Sequence, residues 1–235
     1  MPTAAEPNIT DFTTWIRNVM RVGAPYLPDG AATIQHAFDQ ALNIANDDLD
    51  QAVAQATSWS PYALAVYNLG GHLLAEYAAD QSYAIEGVAW NAGLVMVTTA
   101  APNQIQVGDA VSISGISPNP YNSAPPPKSP TVVYAVADTT HFLYPLQPNP
   151  GTGVPGPTAT VSEVYFANLR RSLKIASFVP GVVASTSDQG TAMGLSNPDF
   201  VKRLTLYDLQ LLKSPWGQAY LSMAQKYGPS VWGLS

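Results

Sequence analysis

The side chains able to do acid-base, nucleophilic or metal chemistry are few and scattered along the chain. His36, His72 and His141 share no ligand-like spacing, so an imidazole metal site or a histidine relay has no local signature. Hard cations want clustered carboxylates, and NDDLD at 46–50 puts three aspartates within five residues. Neither the DxDxDG spacing nor a distal bidentate glutamate follows, so the stretch reads as a solvated helix junction. Asp47 and Asp48 are adjacent, point apart on a helix, and do not form an acid-base pair. Ser112 and Ser114 precede Gly115 without a GxSxG elbow, and no Lys-Ser or Lys-Thr follows Gly70 and Gly71 to make a phosphate loop. With no cysteine, thiolate sites and disulfides are excluded. The expectation is a protein that is not an enzyme and that holds no metal or cofactor.

The elements that carry these residues fall into two kinds. Helical periodicity dominates both ends of the chain. Over 60–79, Ser60 supplies a cap and Pro61 a first helical position, and Tyr62, Val66, Leu69, Leu73 and Tyr77 recur at three- and four-residue spacing. Gly70 and Gly71 each cost about 1 kcal/mol inside a helix, so another helix is expected to cross there. A helix over 8–21 has Thr10 or Asp11 as its cap and Phe12, Trp15, Ile16, Val19 and Met20 on one side. Asp29 opens another, through about Ala45, with Ile34, Phe38, Ala41, Leu42 and Ala45 inward. Helical patterns resume over 163–176 and 198–213, separated by a polar loop or hairpin at 185–197. Ser214 and Pro215 then start a last helix through Tyr227.

Between Trp90 and Ser162 the pattern changes to short alternating runs, at 94–97, 110–114, 132–136, 142–146 and 158–164, punctuated by Pro, Gly and Asn turns. The predicted fold class is therefore α+β: a helical bundle domain of 1–89 plus 163–235, interrupted by an inserted small all-β domain, a sandwich or barrel, at 90–162.

Charge follows the same division. Only 11% of residues are charged, and the pI near 4.8 argues against a general nucleic-acid binder. Residues 1–89 hold ten acidic against two basic side chains, and 163–235 hold seven basic against four acidic. Residues 90–162 carry only Asp109, Lys128 and Asp138. Glu6 and Asp11 interrupt any signal-peptide core, and no apolar run of about 18 residues exists to span a membrane.

Three segments resemble tailed-phage head-tail adaptor, or connector, proteins: YALAVYNLGGHLLAEYA at 62–78, YFANLRRSLKIASFVPGVVASTSDQGTAMG at 165–194, and LTLYDLQLLKSPWGQAYLSMAQKYG at 204–228. The most specific part is Ser214, Pro215, Trp216 and Gly217 followed by the amphipathic QAYLSMAQKYG. The resemblance covers about 1–85 and 163–235. Within 90–162, GLVMVTTAAPNQIQVGDAVSISGI, Tyr121-Asn122 and VVYAVADTTHFLYPL resemble a small β module of phage tail and fibre proteins, from which the PPPKSP segment departs.

The resemblance implies a structural protein of the virion neck, assembled in the host cytoplasm. It would form a homo-oligomeric ring of twelve copies, bound to the portal protein and followed by a tail or tail-terminator protein. DNA would pass without sequence-specific contact, and no membrane is involved. Opposite charge at the two ends of the chain suits head-to-tail contact between copies, or pairing within one chain. Candidate portal or ring contacts are Arg170, Arg171, Lys174, Trp216, Tyr227 and Trp232, the aromatics lying in a terminal segment where interface anchors are enriched. A binding module is the alternative, with the β segment recognising a glycan or another virion protein. Trp90, Tyr121, Tyr134 and Tyr144 are its sugar-stacking candidates, although aromatics on strands are more often core.

Overall fold

Helices and antiparallel strands share the chain, which is of mixed α and β class. The computed structural model describes residues 6–49, 61–123, 130–175, 186–188, 191–193 and 205–227. Contacts divide the chain into two units: Met1–Arg21, Gly30–Tyr77 and Arg170–Ser235 form the first, and Val22–Asp29 with Ala78–Leu169 the second.

In the first unit, α1 (Ile9–Trp15) is capped by Asn8, whose Oδ1 accepts from the Asp11 amide at 2.9 Å. The cap therefore precedes the expected Thr10 or Asp11. A wider π turn, Ile16–Met20, continues α1 and ends at Arg21 in the left-handed region, φ 59°. The five-residue turn breaks the 3.6 period, which accounts for Val19 being exposed while Ile16 and Met20 are buried. Helix α2 (Ala32–Asp48) starts three residues after Asp29 and has no side-chain cap.

Helix α3 (Pro61–Tyr77) packs against α2 and is buried almost throughout, from Tyr62 to Ala75. Tyr77, expected on the core stripe, is its last residue and is exposed. Ser60, its expected cap, lies outside the described residues. A short hairpin, β8 (Thr186–Asp188) with β9 (Thr191–Met193), falls within the polar stretch where a loop or hairpin was expected. The helix expected over 198–213 is described from 205 onward as α5 (Leu206–Leu211), which opens with a Thr205/Asp208 capping box. Helix α6 (Pro215–Tyr227) packs on α3.

The second unit is built on β1 (Ser82–Asn91), β2 (Leu94–Thr99), β3 (Ala110–Ser117), β4 (Thr131–Val132), β5 (Ala135–Val136), β6 (His141–Pro145) and β7 (Val154–Glu163). They pair antiparallel in the order β4-β3-β7-β1-β2-β6-β5. The two outer strands are halves of one stretch, residues 131–136. Val133 donates its amide to Asp109 O on the β3 side (2.9 Å), and the next residue, Tyr134, donates to Leu143 O on β6 (2.8 Å). One backbone step thus joins the two edges and closes the sheet on itself, which leaves little unpaired edge. Two further devices turn the sheet. Strand β1 shifts register between Ile85 and Gly87, and β3 bulges at Gly115 (φ 80°), where a Cβ would lie 2.7 Å from Ala159 Cα. Val95, Val97, Val111, Ile113, Tyr121, Phe142, Tyr144 and Val161 fill the interior.

Strand β1 begins at Ser82, eight residues ahead of the first expected strand character. Its burial alternates weakly, only Ile85 is buried, and the bulge breaks its two-residue period. Likewise β7 runs to Glu163, so the helix expected over 163–176 is α4 (Tyr165–Ser172), with Lys174 beyond it at φ 54°.

Candidate functional site

The Ser-Pro-Trp-Gly segment is a built joint of the first unit. Ser214 Oγ accepts from the Gly217 amide at 3.0 Å, capping α6, and lies 2.9 Å from His72 Nδ1 on α3. Gly217 has no room for a side chain: a Cβ would meet Leu211 O at 2.1 Å and Leu211 C at 2.8 Å. Glu76 Oε2, an acceptor, lies 3.5 Å from Nε2, so the neutral imidazole carries its proton there and Nδ1 accepts from the Ser214 hydroxyl. Burial, with Lys213 nearby, lowers the His72 pKa to about 4, so the ring is neutral at pH 7.

Serine, histidine and glutamate in sequence are the side-chain types of a hydrolytic relay. His72 and Ser214 are each 1% exposed, however, so no substrate atom reaches Oγ, which is already engaged as a helix cap. The trio holds α3 to α6. No sequence pattern joins His72 to Ser214, because 142 residues separate the two.

In the second unit a polar cluster surrounds the end of β7. Asp109 accepts from Tyr26 Oη at 2.6 Å and from the Gln106 amide at 2.7 Å. Asp80 accepts from the amides of Phe166 (2.5 Å) and Ala167 (3.0 Å), and so caps α4 from a residue that precedes β1. Glu163, 2% exposed, is acted on by the charge of both carboxylates. Tyr26 stacks on Tyr165 at 4.3 Å. No spacing in the sequence joins 26, 80, 109 and 163; the sheet brings 80, 109 and 163 together, and Tyr26 joins them through Asp109 and Tyr165. No group of three or more potential metal ligands occurs among the described residues.

At the other end of β1 is an open cleft of about 370 Å³, lined by Val88, Ala89 and Trp90 of β1 and by Asn149, Gly151, Thr152 and Gly153. Trp90 is half-buried, and its Nε1–H donates to Leu146 O at 2.9 Å, which pins the indole. Of the other sugar-stacking candidates, Tyr121 and Tyr144 are core residues, with hydroxyls donated to Gly151 O and Tyr121 O. Tyr134 is exposed on the closing stretch of the sheet.

The remaining expected contact residues are dispersed. Arg170 is half-buried on α4, Arg171 and Lys174 are exposed, and Trp216 is half-buried in the first turn of α6. Tyr227 ends α6, with Lys226 Nζ 4.9 Å from its ring centroid. Trp232 lies outside the described residues. Gly70 faces the Phe12 ring, where a Cβ would meet Cζ at 2.6 Å, and Gly71 faces Trp15, at 2.7 Å from two ring carbons. Among the described residues no helix is long and apolar enough to cross a membrane.

Comparison with protein-family models, with characterised proteins and with solved structures gives no match.

Proposed function

We propose that this chain is a structural protein of a tailed-phage neck, a helical adaptor domain interrupted by an inserted small β domain. In this reading copies assemble into a ring that joins the portal to the tail and lines the DNA exit path, with no chemistry of its own. The observation that carries the reading is the joint at Ser214 and Gly217. The segment that most resembles the adaptor family is also one in which serine, glycine and the His72 it meets each have a packing reason to be where they are. The acidic start and basic end of the chain supply opposite potentials for neighbouring copies.

The docking segment in this reading is 227–235, which follows the packed part of α6 and contains Trp232. Deleting these residues leaves circular dichroism and melting temperature nearly unchanged and abolishes co-purification with portal rings. Normal portal binding by the truncated chain moves the contact elsewhere, with Arg170 and Arg171 next to be tested.

The Trp90 cleft favours a second reading, in which the β unit binds a glycan against the indole face. A glycan array probed with the wild-type chain and with Trp90→Ala separates the two. A sugar retained by the wild type and lost by the variant supports the binding module, and an array without signal leaves the adaptor reading alone.

A further inference from the structure

Glu163 closes β7 at the point where sheet, α4 and the 22–29 segment meet. Its backbone is held: the Glu163 amide donates to Gln81 O at 3.0 Å, and the following Val164 amide donates to Ala110 O at 3.2 Å. Its carboxyl group is not held in the same way. Oε2 is buried without a hydrogen-bond partner, and Oε1 lies 3.4 Å from Tyr83 Oη.

That hydroxyl is already committed. Tyr83 Oη lies 2.8 Å from Gln81 Oε1, an acceptor, and accepts from the Gln104 amide at 3.3 Å. A phenol has one proton, and the shorter contact takes it. The oxygen's second lone pair is left for a donor, which a carboxylate is not and a carboxylic acid is. The titratable groups facing Glu163 reinforce this: Tyr83 on β1, Asp109 before β3, Asp80 before β1, with Tyr26 and Tyr165 packed beside them. The charges that act on it, Asp109 and Asp80, are both negative. Asp109 and Asp80 accept hydrogen bonds from Tyr26, Gln106, Phe166 and Ala167, donors that the Glu163 carboxyl does not have.

We propose that Glu163 is a proton-operated latch. As a neutral acid it donates to Tyr83 Oη and lets the 22–29 segment, the sheet and the start of α4 stay joined. Loss of its proton leaves a buried carboxylate against Asp109 and loosens that joint. Burial, then the charge of Asp109, raises the Glu163 pKa from 4.5 to about 7, so the latch works around neutral pH.

The test uses the full chain. Carbon-detected magnetic resonance of the four glutamate carboxyls should show one titrating near pH 7, and that signal should vanish in Glu163→Gln. Amide exchange of peptides covering 22–29 and 163–167, corrected for intrinsic rates, should be roughly tenfold faster at about pH 8.5 than at about pH 6 in the wild type. The glutamine variant should show no such difference. All four glutamates titrating below about pH 5.5, or equal corrected exchange at both pH values in the wild type, overturns the proposal. Both wild-type readouts stand even if the variant does not fold.

Discussion

Gly217 shows what one missing methyl group is for. A Cβ there would sit 2.1 Å from Leu211 O, and because the obstacle is backbone rather than the end of a flexible side chain, the chain has to move. Gly217→Ala is therefore expected to destabilise by about 2 kcal/mol or more, although alanine is the better helix former by about 1 kcal/mol. Urea denaturation measures this, and a variant as stable as the parent shows that α5 and α6 are free to separate. Ser214→Ala removes the α6 cap and leaves buried His72 Nδ1 without its donor, an expected loss of about 1–3 kcal/mol. Ser214→Thr, which keeps the hydroxyl, should recover part of it.

Among elements, the crossing of α1 over α3 and the closure of the sheet are open to separate tests. Gly71→Leu would drive a side chain into Trp15 and Met20, and a loss of about 1–3 kcal/mol is expected in thermal unfolding. Tyr134→Pro removes the amide that bonds Leu143 O, and should cost about 1–3 kcal/mol. Tyr134→Ala, which changes only an exposed side chain, should stay within about 0.5 kcal/mol. Equal effects of proline and alanine would mean that the hydrogen bond does not close the sheet.

These elements also mark what was readable in the sequence. Strands with a clean two-residue period and a single buried face, such as β2 and β6, were legible, as were α3 and α6 with their proline starts. Strand β1 was not, because its bulge shifts the alternation half-way along. The π turn misled the reading of Val19 for a similar reason. Asp80, Asp109 and Glu163 gave no local signal at all, since their grouping depends on β1, β3 and β7 being neighbours in the sheet.

For the whole chain, two of the buried titratable groups, His72 and Glu163, predict opposite responses to pH in the two units. His72, in the first, has its pKa lowered from 6.5 to about 4, so on acidification the unfolded chain takes up the proton first. His72 therefore costs the first unit nothing above about pH 6.5 and weakens it as pH falls toward 4. Glu163, in the second, has its pKa raised from 4.5 to about 7, so the folded state holds the proton longer. The Glu163 contribution to the second unit is full below about pH 4.5 and is lost as pH rises through 7. Each effect is on the order of 2–3 kcal/mol. Urea unfolding read peptide by peptide by pulsed hydrogen exchange should show acidification from pH 6.5 to about 5 weakening the first unit and strengthening the second. Midpoints that move together contradict the assignment of one or both groups.

The chain enters the sheet at Ser82 and leaves it at Glu163, and Ser82 and Ser162 are direct partners across β1 and β7. Pulling the flanking chain apart at that point would load the ladder like a zipper, one pair after another, the geometry in which hydrogen bonds resist least. The bonds from Glu163 to Gln81 and from Phe166 and Ala167 to Asp80 lie just outside the first pair. They act as a strain relief: tension along the chain reaches this clamp first, and while it holds, the sheet carries no load.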